Sequence, residues 1–283
     1  MTASAQDTGT PEFTVYDRAR GELSPGTGAP SREDLMRAID VGRRSPSQLA
    51  TLLEYGERVE CHECVAPLQQ LMLDPDVDPS TREMAAWWLR RRPFGFDAVM
   101  RETRTVLAGD ADPERRAAAA AAIGEFMDWH GVQHLATALT TDTDARVRTA
   151  AVIGLARINS PRGLPLIAAA LQDSDRDVVE AALRSVLRVN FFRAHDTILP
   201  LLGHEDAGIR RRAALVIGSL EVAASVPALA AMLRGDESEL ARQAAAWALG
   251  RIGGGDARSA LVESQSSEAS RRVLDAIEVA LRM

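Results

Sequence analysis

Hydrophobic positions along this chain follow helical spacing, and the helical segments themselves repeat. The helices are predicted to come in pairs, and an arginine near the start of the second helix of each pair marks the repeat. Successive marked positions are separated by 34, 32, 31, 31 and 32 residues. The marked positions are Arg82, Arg116, Arg148, Val179 in place of arginine, Arg210 and Arg242. Self-similarity at such a period predicts a stack of helical hairpins in which each repeat contacts its neighbours.

Two apolar columns accompany the arginine in every copy. The residue seven positions on is a large aliphatic one, and the residue three positions on is alanine. The alanines are Ala85, Ala119, Ala151, Ala182, Ala213 and Ala245. Both positions fall on one helical face, so we expect this face to be buried and the alanines to mark a place where helices approach closely.

Helix-capping residues stand four positions before the arginine. They are Asp78, Asp112, Asp144, Asp175, Asp206 and Ser238. Their side chains accept hydrogen bonds from free backbone N–H groups at a helix start, and Pro79 and Pro113 suit the first helical position. Each repeat is therefore predicted to be a first helix, a short acidic turn and a capped second helix.

These patterns predict an all-α protein, a right-handed α-α superhelix of about six helical hairpins with N-terminal cap helices. We expect a polar, disordered arm over residues 1–30, cap helices over 31–58, and a solenoid with a degenerate C-terminal repeat over 59–283. Trp88 occupies a column that is small in the other copies, so it is expected to pack on the cap helices.

The segment Ala241–Gly253 (Ala-Arg-Gln-Ala-Ala-Ala-Trp-Ala-Leu-Gly-Arg-Ile-Gly) resembles the HEAT repeats of the phycobilisome-lyase type, an armadillo-like helical class. The resemblance extends over roughly residues 61–283. It implies the solenoid fold strongly and a function only weakly, because solenoids of this kind serve as scaffolds, lyases, a hydroxylase and a DNA glycosylase group.

The net charge is −7, from 40 acidic and 33 basic residues, and the sequence contains no lysine. An acidic chain argues against nucleic-acid binding, although local clusters such as Arg90-Arg91-Arg92 keep it as an alternative. The sequence has no apolar segment long enough to predict a membrane-spanning helix, and its first residues lack the pattern of a signal peptide. We expect a cytoplasmic protein, or an exported, periplasmic one if Ala3-Ser4-Ala5 is the remnant of a processing site.

The motif Cys61-His62-Glu63-Cys64 has three interpretations: inward packing, a redox-active or disulfide pair, and a metal site. Zinc would need two further ligands and no second cysteine pair exists; haem attachment would need histidine where Val65 stands. We favour packing and keep Cys61 and Cys64 as candidates for redox or bilin-lyase-like activity. No metal site and no cofactor are predicted.

Deoxyhypusine hydroxylase is an enzyme of this repeat class. Resemblance to it rests on several paired His-Glu dipeptides at matching repeat positions. Only His62-Glu63 and His204-Glu205 occur here, and they occupy different phases of the repeat. Because a metal needs convergent ligands, a hydroxylase-like activity is disfavoured and no catalytic residue is predicted.

Second helices line the concave face of such arrays, and positions one, five and nine after the repeat arginine share one stripe. The candidate partner-binding residues on it are Trp87, Arg91, Arg157, Arg184, Arg188, Trp247 and Arg251. Tryptophan and arginine are enriched at binding hot spots. We therefore predict a non-catalytic interaction scaffold whose groove binds a protein or peptide with an acidic or amphipathic segment. The alternative is that the tryptophans are partly covered and the arginines are ordinary solvated charge.

Overall fold

The computed structural model describes residues 30–42, 45–92, 96–190 and 192–283. All regular elements in these ranges are helical, so the predicted all-α class is confirmed. Of the predicted N-terminal arm, only Pro30 lies within the described residues. The chain divides into two compact units, Met1–Asp128 (unit 1) and Trp129–Met283 (unit 2).

Within its described residues, unit 1 contains six α-helices: α1 Arg32–Gly42, α2 Pro46–Tyr55, α3 Val65–Leu73, α4 Pro79–Arg90, α5 Phe96–Gly109 and α6 Pro113–Glu125. Helix α1 starts with a capping box, in which Ser31 and Asp34 exchange backbone-to-side-chain hydrogen bonds of 2.9 and 3.1 Å. Helices α1 and α2 pack together, and α2 packs on α4. The pairs α3–α4 and α5–α6 are the first two hairpins, and α4 packs on α6.

Unit 2 contains five further hairpins. Their helices are α7 Val132–Thr141, α8 Ala145–Ile158, α9 Leu164–Ala170, α10 Arg176–Val186, a 3-10 helix Leu199–Gly203, α11 Ala207–Ser219, α12 Val226–Gly235, α13 Glu239–Ile252, α14 Gly254–Ser267 and α15 Arg271–Ala280. The second helices α8, α10, α11, α13 and α15 pack on one another in that order and form a layer. In the last hairpin, Leu274 takes the arginine position.

One predicted first helix differs from expectation. The segment that begins Leu199-Pro200 forms a short 3-10 helix, closed by hydrogen bonds such as Leu201 N–H to Ile198 O at 3.0 Å. Five residues are too few for an α-helix of even two turns, and 3-10 geometry is the usual form of such short pieces.

The predicted helix caps are confirmed. Each of the six accepts a hydrogen bond from a backbone N–H two or three residues on. The capped helices are α4, α6, α8, α10, α11 and α13. Because each cap fixes where a second helix begins, it also fixes the register of the columns that follow.

Burial of the alanine column is confirmed, since all six alanines have no exposed surface. Close approach of the second helices is visible beside this column. A Cβ atom built on Gly218 of α11 would lie 2.8 Å from the Cα of Ala248 on α13. Only glycine fits at such a distance, so small side chains set the spacing of the second-helix layer.

Trp88 packs on the cap helices, as predicted. The ring is fully buried, and its Nε1–H donates to the carbonyl oxygen of Gly56 at 3.2 Å. The guanidinium of Arg92 lies 4.0 Å from the ring centroid and donates to the carbonyl oxygens of Glu57 and Val59. Trp88 and Arg92 thus tie the segment after α2 to the end of α4.

The repeat arginine has a structural role that repetition alone did not reveal. Arg210 forms a two-pronged ion pair with Asp236 of the next repeat, with N–O distances of 2.6 and 2.8 Å. Its remaining nitrogen donates to the carbonyl oxygens of His204 and Glu205. Asp236 also accepts the N–H of the cap residue Ser238 at 2.8 Å. We call this arrangement the arginine clasp; it recurs in Arg148–Asp173 and Arg242–Glu268.

The clasps perturb the acidity of their carboxylates. The bond from Arg210 lowers the pKa of Asp236 below its ordinary value, and the bond from Arg242 lowers that of Glu268; both outweigh the opposing effect of burial. A lowered folded-state pKa means that the clasp stabilises the fold above the unfolded-state pKa. That contribution is lost as the pH falls through the folded-state value.

One junction in unit 2 has no clasp. Val179 occupies the arginine position of α10, and His204 occupies the carboxylate position that should receive it. His204 still serves the cap, because its Nδ1 accepts the N–H of Asp206 at 3.0 Å. Arg176 reaches Asp206 at 2.8 Å instead, with half of its side chain exposed. Both partners of the clasp are therefore replaced together between α10 and α11.

Enlarging the alanine column should damage the packing. We expect Ala151→Leu to lower the free energy of unfolding by ~1–3 kcal/mol, because the buried site has no space for the added atoms. Ala231→Leu, at an exposed position of α12, is the control and should change it little. Urea denaturation followed by circular dichroism measures both, and equal stability of the two variants would contradict the packing role.

A double-mutant cycle should detect the clasp. Arg210→Gln and Asp236→Asn are expected to show a coupling energy of ~1–3 kcal/mol in urea denaturation at neutral pH, since the side chains are only 17% and 5% exposed. The same cycle on Arg271 and Asp275, which are 78% and 56% exposed, should show little coupling. Indistinguishable values for the two pairs would show that the clasp adds nothing beyond an ordinary surface ion pair.

Candidate functional site

The predicted stripe can be followed across four successive second helices of unit 2. Positions one, five and nine form three rows, which we call together the arginine face. The first row is Thr149, Glu180, Arg211 and Gln243; the centre row is Ile153, Arg184, Leu215 and Trp247; the ninth row is Arg157, Arg188, Ser219 and Arg251. Since α8, α10, α11 and α13 pack side by side, each row crosses the layer from helix to helix.

The centre row is largely apolar and only partly covered. Ile153, Leu215 and Trp247 are half-buried, whereas Arg184 is exposed. The ring of Trp247 lies over Gly218 of the preceding repeat, close enough that a Cβ there would approach the ring Cζ3 to 2.7 Å. Glycine at this position therefore lets the indole lie flat on the helix layer and leaves part of it accessible.

Arginine outnumbers acid on this face. Its twelve positions hold five arginines and one acid, Glu180, in a chain whose net charge is −7. Among the described first helices of the same four hairpins, the only Asp, Glu or Arg residue is Arg234. Glu180 lies within 3.6 Å of both Arg176 and Arg212, so its charge is offset by arginines beside the face.

The face arginines differ in what they already bind. Arg184, Arg188 and Arg211 are exposed and form no ion pair with any described residue. Arg251 pairs with Glu221 at 2.7 Å. Three guanidinium groups on α10, on α11 and just past the end of α10 are therefore open to an anionic partner.

In unit 1 the predicted residues Trp87 and Arg91 lie together at the end of α4. The Arg91 guanidinium carbon is 4.2 Å from the centroid of the half-buried Trp87 ring, and its Nε is 2.7 Å from the Glu57 carboxylate. Arg91 and Arg251 of the predicted stripe therefore each pair with an acid. Glu57 and Glu221 lie outside the repeat columns, so the repeat pattern did not predict these ion pairs.

Cys61 and Cys64 form a disulfide, with Cα atoms 5.3 Å apart, and neither residue has exposed surface. They lie in the turn before α3, and His62 in the same turn is exposed. Of the alternatives for the motif, the structure therefore has the disulfide pair, in a buried position.

The other candidate chemistry is sparse. His204 caps α11 through Asp206, as described above. Within the described ranges, no group of three His, Cys, Asp or Glu side chains is arranged to hold a metal ion. None of the helices in those ranges has the length and apolar character needed to cross a bilayer.

Comparison with known proteins gives a family and a fold. A family model described as HEAT repeats matches residues 101–188 and 196–282, more than half of the chain. Bilin biosynthesis protein PecE of Nostoc sp. (strain PCC 7120) is 30% identical over 142 residues, 48% of this chain and 56% of that protein. The chain thus spans just over half the length of this relative.

Among solved structures, the X-ray structure of YibA from E. coli has a TM-score of 0.58 at 14% identity and covers 96% of this chain and 98% of that one. Human deoxyhypusine hydroxylase in complex with glycerol has a TM-score of 0.33 at 21% identity, covering 78% of this chain and 95% of that one. The first likeness supports the solenoid fold; at this identity neither bears on activity.

Removal of the disulfide should leave unit 2 intact. We expect Cys61→Ser/Cys64→Ser to fold with unit 1 destabilised by roughly 2 kcal/mol, the value for so short a closed loop. Reductant should shift the urea transition of the wild type and not that of the variant. Loss of folding in the variant, or a shift in the variant on reduction, would contradict this assignment.

Proposed function

The chain belongs to the HEAT-repeat proteins, and we propose that it is a non-catalytic scaffold that holds an acidic, amphipathic segment of a partner protein against the arginine face. The observation that carries the proposal is that one face of an acidic chain holds five arginines and a single acid. Guanidinium groups bind carboxylates through paired hydrogen bonds, so such a face selects acidic segments.

The apolar centre row supports the amphipathic part of the proposal. Ile153, Leu215 and Trp247 offer partly covered apolar surface between rows of charge. A partner that covers these side chains excludes water from the arginine–carboxylate bonds beside them, which strengthens those bonds. A purely charged segment would leave the row exposed, and a purely apolar one would leave the arginines unpaired.

The remaining predicted residues are expected to contribute less to binding. Arg157 extends the ninth row on α8. In unit 1, Trp87 and Arg91 form a separate aromatic and guanidinium surface, where a carboxylate would have to displace Glu57 from Arg91. We therefore expect Arg184 and Arg188 to contribute most to binding, because no described acid competes for them.

No observation favours the enzymatic alternatives. A bilin-lyase-like or redox activity would need an accessible sulfur, whereas Cys61 and Cys64 are buried and bonded to each other. The hydroxylase-like alternative needs converging His-Glu pairs, and His204 is committed to a helix cap. Nucleic-acid binding is opposed by the net charge of −7 and by the half-buried apolar row.

The disulfide also bears on the compartment. Disulfides persist in oxidising compartments and are rare in the cytosol. The Cys61–Cys64 bond therefore supports the exported alternative over the cytoplasmic one.

Charge reversal on the arginine face tests the proposed function. A random peptide display library is selected on the wild-type protein, and selected peptides are labelled with fluorescein for anisotropy titrations. We expect them to be acidic with apolar or aromatic anchors. Arg184→Glu/Arg188→Glu should weaken their binding about tenfold or more, since repulsion replaces attraction at an exposed site.

The matched control is Arg162→Glu/Arg234→Glu, which reverses two exposed arginines away from the face. It changes the net charge equally and should leave binding within about twofold of wild type, apart from the long-range effect of charge. Thermal melts confirm that both variants are folded. Equal weakening by the two variants, or selected peptides without acidic residues, would contradict the proposal.

A further inference from the structure

Glu221 is an acid that reaches into the arginine face from a helix end. It follows α11, and its Oε1 accepts a hydrogen bond from an Arg251 Nη at 2.7 Å. Both side chains are largely accessible, at 57% and 45% of their full exposure. An exposed, single-pronged ion pair of this kind adds little to stability.

The backbone of Glu221 is unfavourable for its side chain. Its φ angle is +52°, in the left-handed region that residues other than glycine and asparagine rarely adopt. The helix end requires this conformation, because the N–H groups of Glu221 and Val222 turn back to the carbonyl oxygens of Gly218 and Ile217.

Two other repeats have a residue suited to positive φ at the equivalent position, whereas Met127 after α6 also adopts a φ of +53° there. The equivalent position, eleven residues after the repeat arginine, is Asn159 after α8 and Gly253 after α13, both also with positive φ. Asn159 bonds to the N–H of Asn190 in the next repeat at 3.0 Å. Asparagine at position 221 would fit this backbone better than glutamate.

We infer that the Glu221 carboxylate competes with a carboxylate of the partner for the guanidinium of Arg251. Glu221 thereby sets how tightly the arginine face binds its partner and how acidic that partner must be. This inference rests on the proposed function. Glu221 occupies one prong of the guanidinium with the same chemical group that an acidic segment would bring. A segment with a single acid gains little by displacing it, whereas a segment that engages several arginines at once can do so.

The test uses a labelled acidic peptide selected on the wild-type protein and measures its Kd by anisotropy. Glu221→Gln removes the charge and keeps the strained backbone, and it should tighten binding roughly two- to fivefold. Glu221→Asn should tighten binding similarly and also raise Tm by roughly 2 °C or more, since asparagine suits positive φ. Glu263→Gln, at an exposed position of α14, removes an equal charge and should do neither.

Two outcomes overturn the inference separately from the proposed function. If binding needs Arg184 and Arg188 but Glu221→Gln binds no more tightly than Glu263→Gln, the face is the site and Glu221 is not a competitor. If Arg251→Gln binds the peptide as tightly as wild type, Arg251 is not the contested group. Binding that ignores Arg184 and Arg188 overturns the proposed function, and this inference with it.

Discussion

The arginine clasp is the interaction on which the arrangement of repeats in unit 2 depends. One guanidinium closes the turn of its own hairpin through carbonyl oxygens and grips a carboxylate of the next hairpin. The same carboxylate holds the cap of the next second helix. Helix start, turn closure and repeat stacking are therefore coupled through one pair of side chains, and the small-residue contacts of the second-helix layer are held in register by it.

This coupling separates two classes of arginine. Arg148, Arg210 and Arg242, in the repeat position, are committed to clasps and lie largely out of solvent. Arginines of the face lie one, five and nine positions further on and point outward, as Arg184 does. The junction without a clasp, where Val179 faces His204, lies between α10 and α11, the helices of the open arginines. That junction is bridged instead by the ion pairs Arg176–Asp206 and Arg212–Glu180.

Local periodic features were predictable from sequence, and contacts outside the period were not. The caps, the buried alanine column and the packing of Trp88 follow from repeated residues whose physical roles are local. The partner of Arg210 lies 26 residues away, at a position that looked like one more polar turn residue. Glu57 and Glu221 do not belong to a repeated column, so the repeat pattern did not predict their ion pairs. The 3-10 helix and the disulfide turn likewise depend on local chain length and contacts that repetition does not encode.

Clasps tie three of the four junctions in the layer of second helices of unit 2, and we expect the outer face of this layer to bind the partner. Hydrogen–deuterium exchange of the protein with and without a selected acidic peptide is the decisive measurement. We expect the peptide to slow exchange in α10, α11 and α13 and to leave the first helices α9 and α12 unchanged. Protection confined to the first helices, or spread evenly over both layers, would contradict this expectation.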